Sequence, residues 1–131
     1  MSMPSVEDYM TRELVTLSPD GEINHAMSIL LSKRISGAPV VDREGWLIGV
    51  LSKKDCLAAA LEASYYREWG GTVSKYMSVD VQTVEADMDI ISVTKLFVDG
   101  PYRRLPVLKA GRLIGQISRA DALKAMANLW N

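Results

Sequence analysis

Apolar positions recur along this chain in two spacings, one helical and one extended. Ile23, Ala26, Met27 and Leu30 fall on one helical face, and Ile90, Val93 and Phe97 fall on another. Each run follows an acidic start, Asp20-Gly21-Glu22 and Asp87-Met88-Asp89. Asp is a good N-cap, and carboxylates suit the positive end of a helix dipole. Gly37 and Gly100-Pro101 mark the helix exits. A short extended piece precedes each helix, Leu14 to Leu17 and Val81 to Val84. A β-hairpin follows each one. Its strands run from Ala38 to Val41 and Leu47 to Leu51 in the first half, and from Leu105 to Leu108 and Leu113 to Ile117 in the second. The turns carry Gly45 and Gly111, a hairpin signal between β-rich runs. A closing helix ends each half, from Lys53 to about Tyr65 and from Arg119 to Leu129, and the Gly70-Gly71 stretch reads as a linker.

The halves are copies of one another. Val6-x-x-Tyr9-Met10 returns as Val73-x-x-Tyr76-Met77; Thr16, Asp20 and Ile23 return as Thr83, Asp87 and Ile90; Pro39-Val40 returns as Pro106-Val107. After a one-residue gap, Gly45-Trp46-Leu47-Ile48-Gly49 matches Gly111-Arg112-Leu113-Ile114-Gly115, and Ser52-x-x-Asp55 matches Ser118-x-x-Asp121. An open solenoid needs at least ~3 repeats to bury its faces. Two copies of a β-α-β-β-α unit therefore predict an α+β protein whose repeats pack sheet to sheet with pseudo-twofold symmetry. The expected divisions are residues 1–65, a linker at 66–72, and residues 73–131.

Composition narrows the function classes. Lys plus Arg number 15 against 16 for Asp plus Glu, which argues against broad binding to nucleic acid or an anionic membrane. Hydrophobic residues make up 48% of the chain, too many for a disordered one. The single Cys56 excludes an internal disulfide and fits a reducing compartment. Met1-Ser2-Met3-Pro4 lacks the regions of a signal peptide, and no apolar run reaches the ~18 residues of a membrane span. The expectation is a cytoplasmic protein to which nothing else is fused. Walker-type and Gly-x-Gly-x-x-Gly fingerprints are absent. His25 is the only histidine, so no metal site is expected. Cys56 lacks a base nearby in sequence and reads as a small buried residue.

The Ser-x-x-Asp pairs sit where a strand ends and a helix begins. As a capping box, each Ser accepts from the Asp amide and each Asp accepts from the Ser amide. The same place suits a nucleotide. A helix N-terminus attracts phosphate, and an ionised carboxylate accepts from the two hydroxyls of a ribose. The two uses are compatible.

The element order, with Gly-x-apolar-Ser-x-x-Asp leading into the last helix of each copy, resembles the cystathionine β-synthase (CBS) domain family, as a stand-alone pair covering roughly Val6 to Leu123. The resemblance implies that Asp binds ribose and that Ser helps with ribose or phosphate. It also implies that the segment before each proline faces the Ser-x-x-Asp of the other copy, while backbone near Val15 or Gln82 reads the adenine edge. One expected cleft then combines Met10, Val15, Ile35, Ser36, Gly37, Ala38, Ser118, Arg119 and Asp121. The other combines Met77, Gln82, Tyr102, Arg103, Arg104, Leu105, Ser52, Lys53, Lys54 and Asp55, and is the more basic. Met10 and Met77 either pack on the base or fill the core. The resemblance further implies a homodimer formed through helices. Tyr65, Tyr66, Trp69 and Trp130 serve either that contact or coverage of the core, and Leu57, Leu61, Leu123 and Met126 divide between core and interface.

These features predict a regulatory module that binds an adenine nucleotide (AMP, ADP or ATP) in the clefts between the repeats and signals to an effector protein. No cofactor is required and no catalysis is expected. The alternative is a structural dimerisation or interaction module without a nucleotide. An enzyme would need a general base or a metal, and the Asp pair is more naturally a set of ribose acceptors.

Overall fold

A computed structural model that describes residues 3–131 opens, in chain order, with α1 (Val6–Tyr9), α2 (Ile23–Lys33), β1 (Gly37–Val41), β2 (Leu47–Ser52), α3 (Lys53–Tyr66) and α4 (Val73–Tyr76). It continues with β3 (Val84–Glu85), α5 (Ile90–Asp99), β4 (Arg104–Lys109), β5 (Arg112–Ser118) and α6 (Arg119–Leu129). Met1 and Ser2, the first residues of the stretch read for a leader, lie outside the described residues.

The architecture is α+β, as the pattern predicts. The chain divides into two compact units that do not follow the sequence repeat. One is Val15–Val81. The other joins the segment up to Leu14 to Gln82–Asn131. Each unit therefore takes its short helix, α4 or α1, from the opposite copy.

In the Val15–Val81 unit, Ile23, Ala26 and Leu30 of α2 pack with Leu17, Ala38, Val40, Leu51, Cys56, Ala59 and Val73. β1 and β2 pair antiparallel, with Gly37 opposite Ser52. The extended piece expected at Leu14 to Leu17 narrows to one parallel bridge, Leu17 to Val40. There the Leu17 amide donates to Pro39 O, and Leu17 O accepts from the Val41 amide. The first helix starts later than its acidic run suggests, with Glu22 as N-cap and no side-chain bond. It ends at Arg34, left-handed at φ 56°, while Gly37 opens β1.

The Gln82–Asn131 unit has the three strands that the repeat calls for, with β3 parallel and β5 antiparallel to β4. Ile90, Val93 and Phe97 of α5 enter its core with Val6, Val84, Leu105, Val107, Ile117, Ala122 and Ala125. Asp89 caps α5 by accepting from the Ser92 amide at 2.8 Å, a bond that holds its carboxyl below the usual range.

The inner faces of α3 and α6 are small residues, Cys56 and Ala59, Ala122 and Ala125. Leu57, Leu61 and Leu123 point outward, 70, 59 and 72% exposed, while Met126 packs on the core. Tyr65, Tyr66 and Trp130 are exposed and do not cover the core.

Candidate functional site

Strands β2 and β5 each deliver a serine to the start of a long helix. The Ser52 hydroxyl accepts from the Asp55 amide at 3.1 Å, and the Ser52 amide donates to Asp55 Oδ2 at 2.8 Å. Ser118 and Asp121 repeat this at 3.2 and 2.9 Å. The capping boxes expected from the sequence are both formed. Each Asp uses Oδ2 for its own cap. Among the described residues Oδ1 of each makes no hydrogen bond, so one acceptor oxygen per site stays open to a ligand hydroxyl. Both carboxylates are half-buried at the edge of a helix start.

The segments before the prolines lie beside the motif of their own unit. An antiparallel hairpin returns its last residue to its first, so Gly37 pairs with Ser52 and Arg104 with Ser118. The Lys53 amide donates to Ser36 O at 2.9 Å, and the Arg119 amide to Arg103 O at 3.0 Å. Ile35, Ser36, Gly37 and Ala38 adjoin Ser52, Lys53, Lys54 and Asp55, while Tyr102, Arg103, Arg104 and Leu105 adjoin Ser118, Arg119 and Asp121. Arg103 and Arg104 are neighbours of Arg119, in the unit that does not contain Lys53 and Lys54. Ala38 and Leu105 are buried and form part of the cores.

The methionines join the expected motifs. Thr11 exchanges two backbone bonds with Gln116, at 2.8 and 3.0 Å, and Ser78 exchanges two with Val50, both 2.9 Å. Each puts a methionine over a glycine of the Gly-x-apolar-Ser-x-x-Asp motif, Met10 on Gly115 and Met77 on Gly49. Both methionines also pack against their unit's core, so the core role is met. Each site thus draws on both sequence copies, one giving the crossing methionine and the other the hairpin and helix. The family resemblance groups each methionine with the other copy's motif, although the recurrence of Val-x-x-Tyr-Met does not by itself tell which half it packs on.

Val15 lies in the unit of Ser52 and Gln82 in the unit of Ser118. Gln82 is exposed and donates to Thr83 O at 3.0 Å. Among the described residues neither hydrogen-bonds another expected site residue.

Beyond the motifs, the chemistry is sparse. Burial and then the Asp55 charge push the Cys56 thiol up, away from thiolate. His25 is exposed on α2. Among the described residues no group of three or more His, Cys, Asp or Glu could hold a metal ion, and no helix is long and apolar enough to cross a membrane. A cavity of about 500 Å³ beside α1, lined by Glu7, Arg12, Glu85, Asp87 and Lys109, contains none of the expected residues.

The family model for the CBS domain matches the chain twice, at residues 6–62 and 73–128. The chain belongs to the CBS domain family. It is 30% identical over 127 residues to the CBS domain-containing protein YhcV of Bacillus subtilis, covering 96% of this chain and 89% of that one. It is likewise 30% identical over 125 residues to the uncharacterized protein MJ1225 of Methanocaldococcus jannaschii, covering 95% of this chain but spanning only 44% of that relative's length. Among solved structures, CBSX2 of Arabidopsis thaliana, crystallised in complex with AMP, superposes with a TM-score of 0.82 at 28% identity, over 97% of this chain and 98% of that one.

Proposed function

We propose that this chain is a regulatory module that binds an adenine nucleotide (AMP, ADP or ATP) at its two Ser-x-x-Asp helix starts. Asp55 and Asp121 accept from the ribose hydroxyls. Ser52 and Ser118, with the free amides of their helix starts and the neighbouring Lys or Arg, receive phosphate. Met10 and Met77 pack toward the base. One observation carries the reading: each carboxylate caps its helix with Oδ2 and keeps Oδ1 open, in a chain whose AMP-bound relative CBSX2 covers nearly its whole length.

The ligand joins segments from both sequence copies, so it favours one arrangement of those segments to the extent that it binds that arrangement better. The output is a changed surface for an effector protein or a changed homodimer. The reading is of a cytoplasmic protein and not an enzyme, because the residues at the site bind and neutralise charge and include no paired base and nucleophile. Mass spectrometry of small molecules released from the purified, denatured protein tests it. An adenine nucleotide is expected. Its absence, with no thermal shift on adding AMP, ADP or ATP, would instead favour a purely structural interaction module.

A further inference from the structure

The helices that carry Met10 and Met77 are too short to hold themselves. In α1 the Met10 amide donates to Val6 O, and in α4 the Met77 amide donates to Val73 O. A single turn fixes several dihedrals for one bond and is unfavourable alone. Each turn is therefore placed from outside. Val6 and Val73 are buried in the cores of their units. The residue after each methionine is pinned to the hairpin, Thr11 to Gln116 and Ser78 to Val50. The residue before each methionine is a tyrosine, Tyr9 or Tyr76, whose ring packs on the same core.

Each tyrosine hydroxyl also bonds the closing helix of its own unit. Tyr76 donates to Glu62 Oε2 on α3 at 2.6 Å, and Tyr9 accepts from Asn128 Nδ2 on α6 at 3.0 Å. Glu62 and Asn128 hold the same place in the repeat, each ten residues after its cap serine. The two contacts differ in chemistry. Tyr76 meets a carboxylate, and Lys75 Nζ lies 3.5 Å from the same oxygen. The Tyr76 hydroxyl is also 3.1 Å from Gly70 O, but it has one proton and the nearer, charged Glu62 takes it. Lys75 Nζ serves the Gly70 carbonyl at 3.0 Å. Tyr9 and Asn128 form a neutral pair, and a bond to an ionised acceptor is the stronger kind.

Resting on the nucleotide-binding reading, we infer that Tyr76 with Glu62, and Tyr9 with Asn128, are positioning residues: each pair seats the methionine over the motif glycine of its own unit, and the Tyr76 pair sets affinity at the Ser52–Asp55 site more strongly than the Tyr9 pair does at the Ser118–Asp121 site. Titration calorimetry with AMP tests this in two single-site proteins, Asp121→Asn to leave the Ser52 site and Asp55→Asn to leave the Ser118 site.

In D121N, adding Tyr76→Phe should weaken AMP about threefold or more, the scale of one hydrogen bond. Glu62→Ala should weaken it as much, while Glu62→Gln, which keeps an acceptor, should retain most of the affinity. Y76F/E62A should be no weaker than Y76F, because one bond is not lost twice. In D55N, Y76F should change nothing and Tyr9→Phe should weaken AMP about twofold or less. A merely structural role would lower the melting temperature and leave the affinity of the folded protein as it was. The methionine methyl resonances, assigned by Met→Leu substitution, read the seating without ligand: Y76F should move that of Met77 and spare that of Met10, and Y9F the reverse. An unmoved Met77 methyl, unchanged AMP affinity in D121N/Y76F, additive losses in Y76F/E62A, or a larger loss for Y9F than for Y76F overturns the inference alone. Failure of AMP to bind the unsubstituted chain overturns the nucleotide reading and this inference with it.

Discussion

Met10 lies directly on Gly115: a Cβ added to that glycine would be 2.8 Å from Met10 Sδ and 2.6 Å from Thr11 O. The same relationship holds between Gly49 and Met77, where the distances are 2.7 Å to Sδ and 2.9 Å to Ser78 O. The motif glycine is required by the close approach of a crossing segment.

Gly115→Ala and Gly49→Ala should therefore each lower stability by about 1–3 kcal/mol, the usual cost of overpacking. The methionine can move, but the carbonyl oxygens belong to backbone paired with the strand. Urea unfolding monitored by circular dichroism measures this. A midpoint unchanged for both variants would show that the crossing segments are not held as described.

The two uses of Asp55 and Asp121 can be separated. Asp→Ala at either position removes a cap bond and should cost about 1 kcal/mol. Asp→Asn keeps an acceptor for the serine amide, so stability should change less, while nucleotide affinity falls because the open oxygen loses its charge. Thermal unfolding with and without AMP distinguishes the two effects. Equal affinity in the parent and Asn variants would leave the aspartates as caps only.

Much of this was legible in the chain itself. The Ile23 and Ile90 faces, both hairpins and both capping boxes follow from period and spacing. What spacing does not carry is which partner a short segment chooses. Val6–Tyr9 and Val73–Tyr76 are one-turn helices without a long apolar period, and each packs into the body of the opposite copy. Antiparallel pairing returns Ser52 to Gly37 and Ser118 to Arg104 within each hairpin, whereas the expectation that each pre-proline segment faces the other copy's Ser-x-x-Asp comes from the family resemblance. Leu14 to Leu17 reads as a strand, yet it forms one bridge, whereas Val84–Glu85 forms a short strand in the second copy.

Leu57, Leu61 and Tyr65 make an exposed apolar stripe at helical spacing on α3, with Tyr65 75% exposed. The proposed homodimer would bury it. Leu61→Asp should then shift the protein toward monomer in sedimentation with little loss of monomer stability, since the side chain leaves no core. An unchanged sedimentation coefficient would remove this stripe from the interface.

Tyr76 donates to Glu62 Oε2 at 2.6 Å, and Lys75 adds an ion pair to the same oxygen at 3.5 Å. The Tyr76 bond is the main cause of the lowered Glu62 carboxyl, and Glu62 is the main cause of the raised Tyr76 phenol. Glu62 therefore adds stability above its unfolded pKa that fades as pH falls through its folded value. Tyr76 adds stability below its unfolded pKa that is lost as pH rises through its folded value. Glu62 and Lys75 are exposed and Tyr76 is half-buried, so solvent screening keeps the effects small. Absorbance titration of the phenols in the parent and Tyr76→Phe proteins should show the raised Tyr76 transition missing from the variant. Identical alkaline limbs would contradict the contact.

The most direct test of the central claim is calorimetric titration of AMP into the parent chain and into the D55N/D121N double variant. The account predicts saturable binding to the parent and its loss in a double variant that still melts cooperatively. Undiminished binding to the double variant would contradict it, as would the absence of binding to the parent by AMP, ADP and ATP alike.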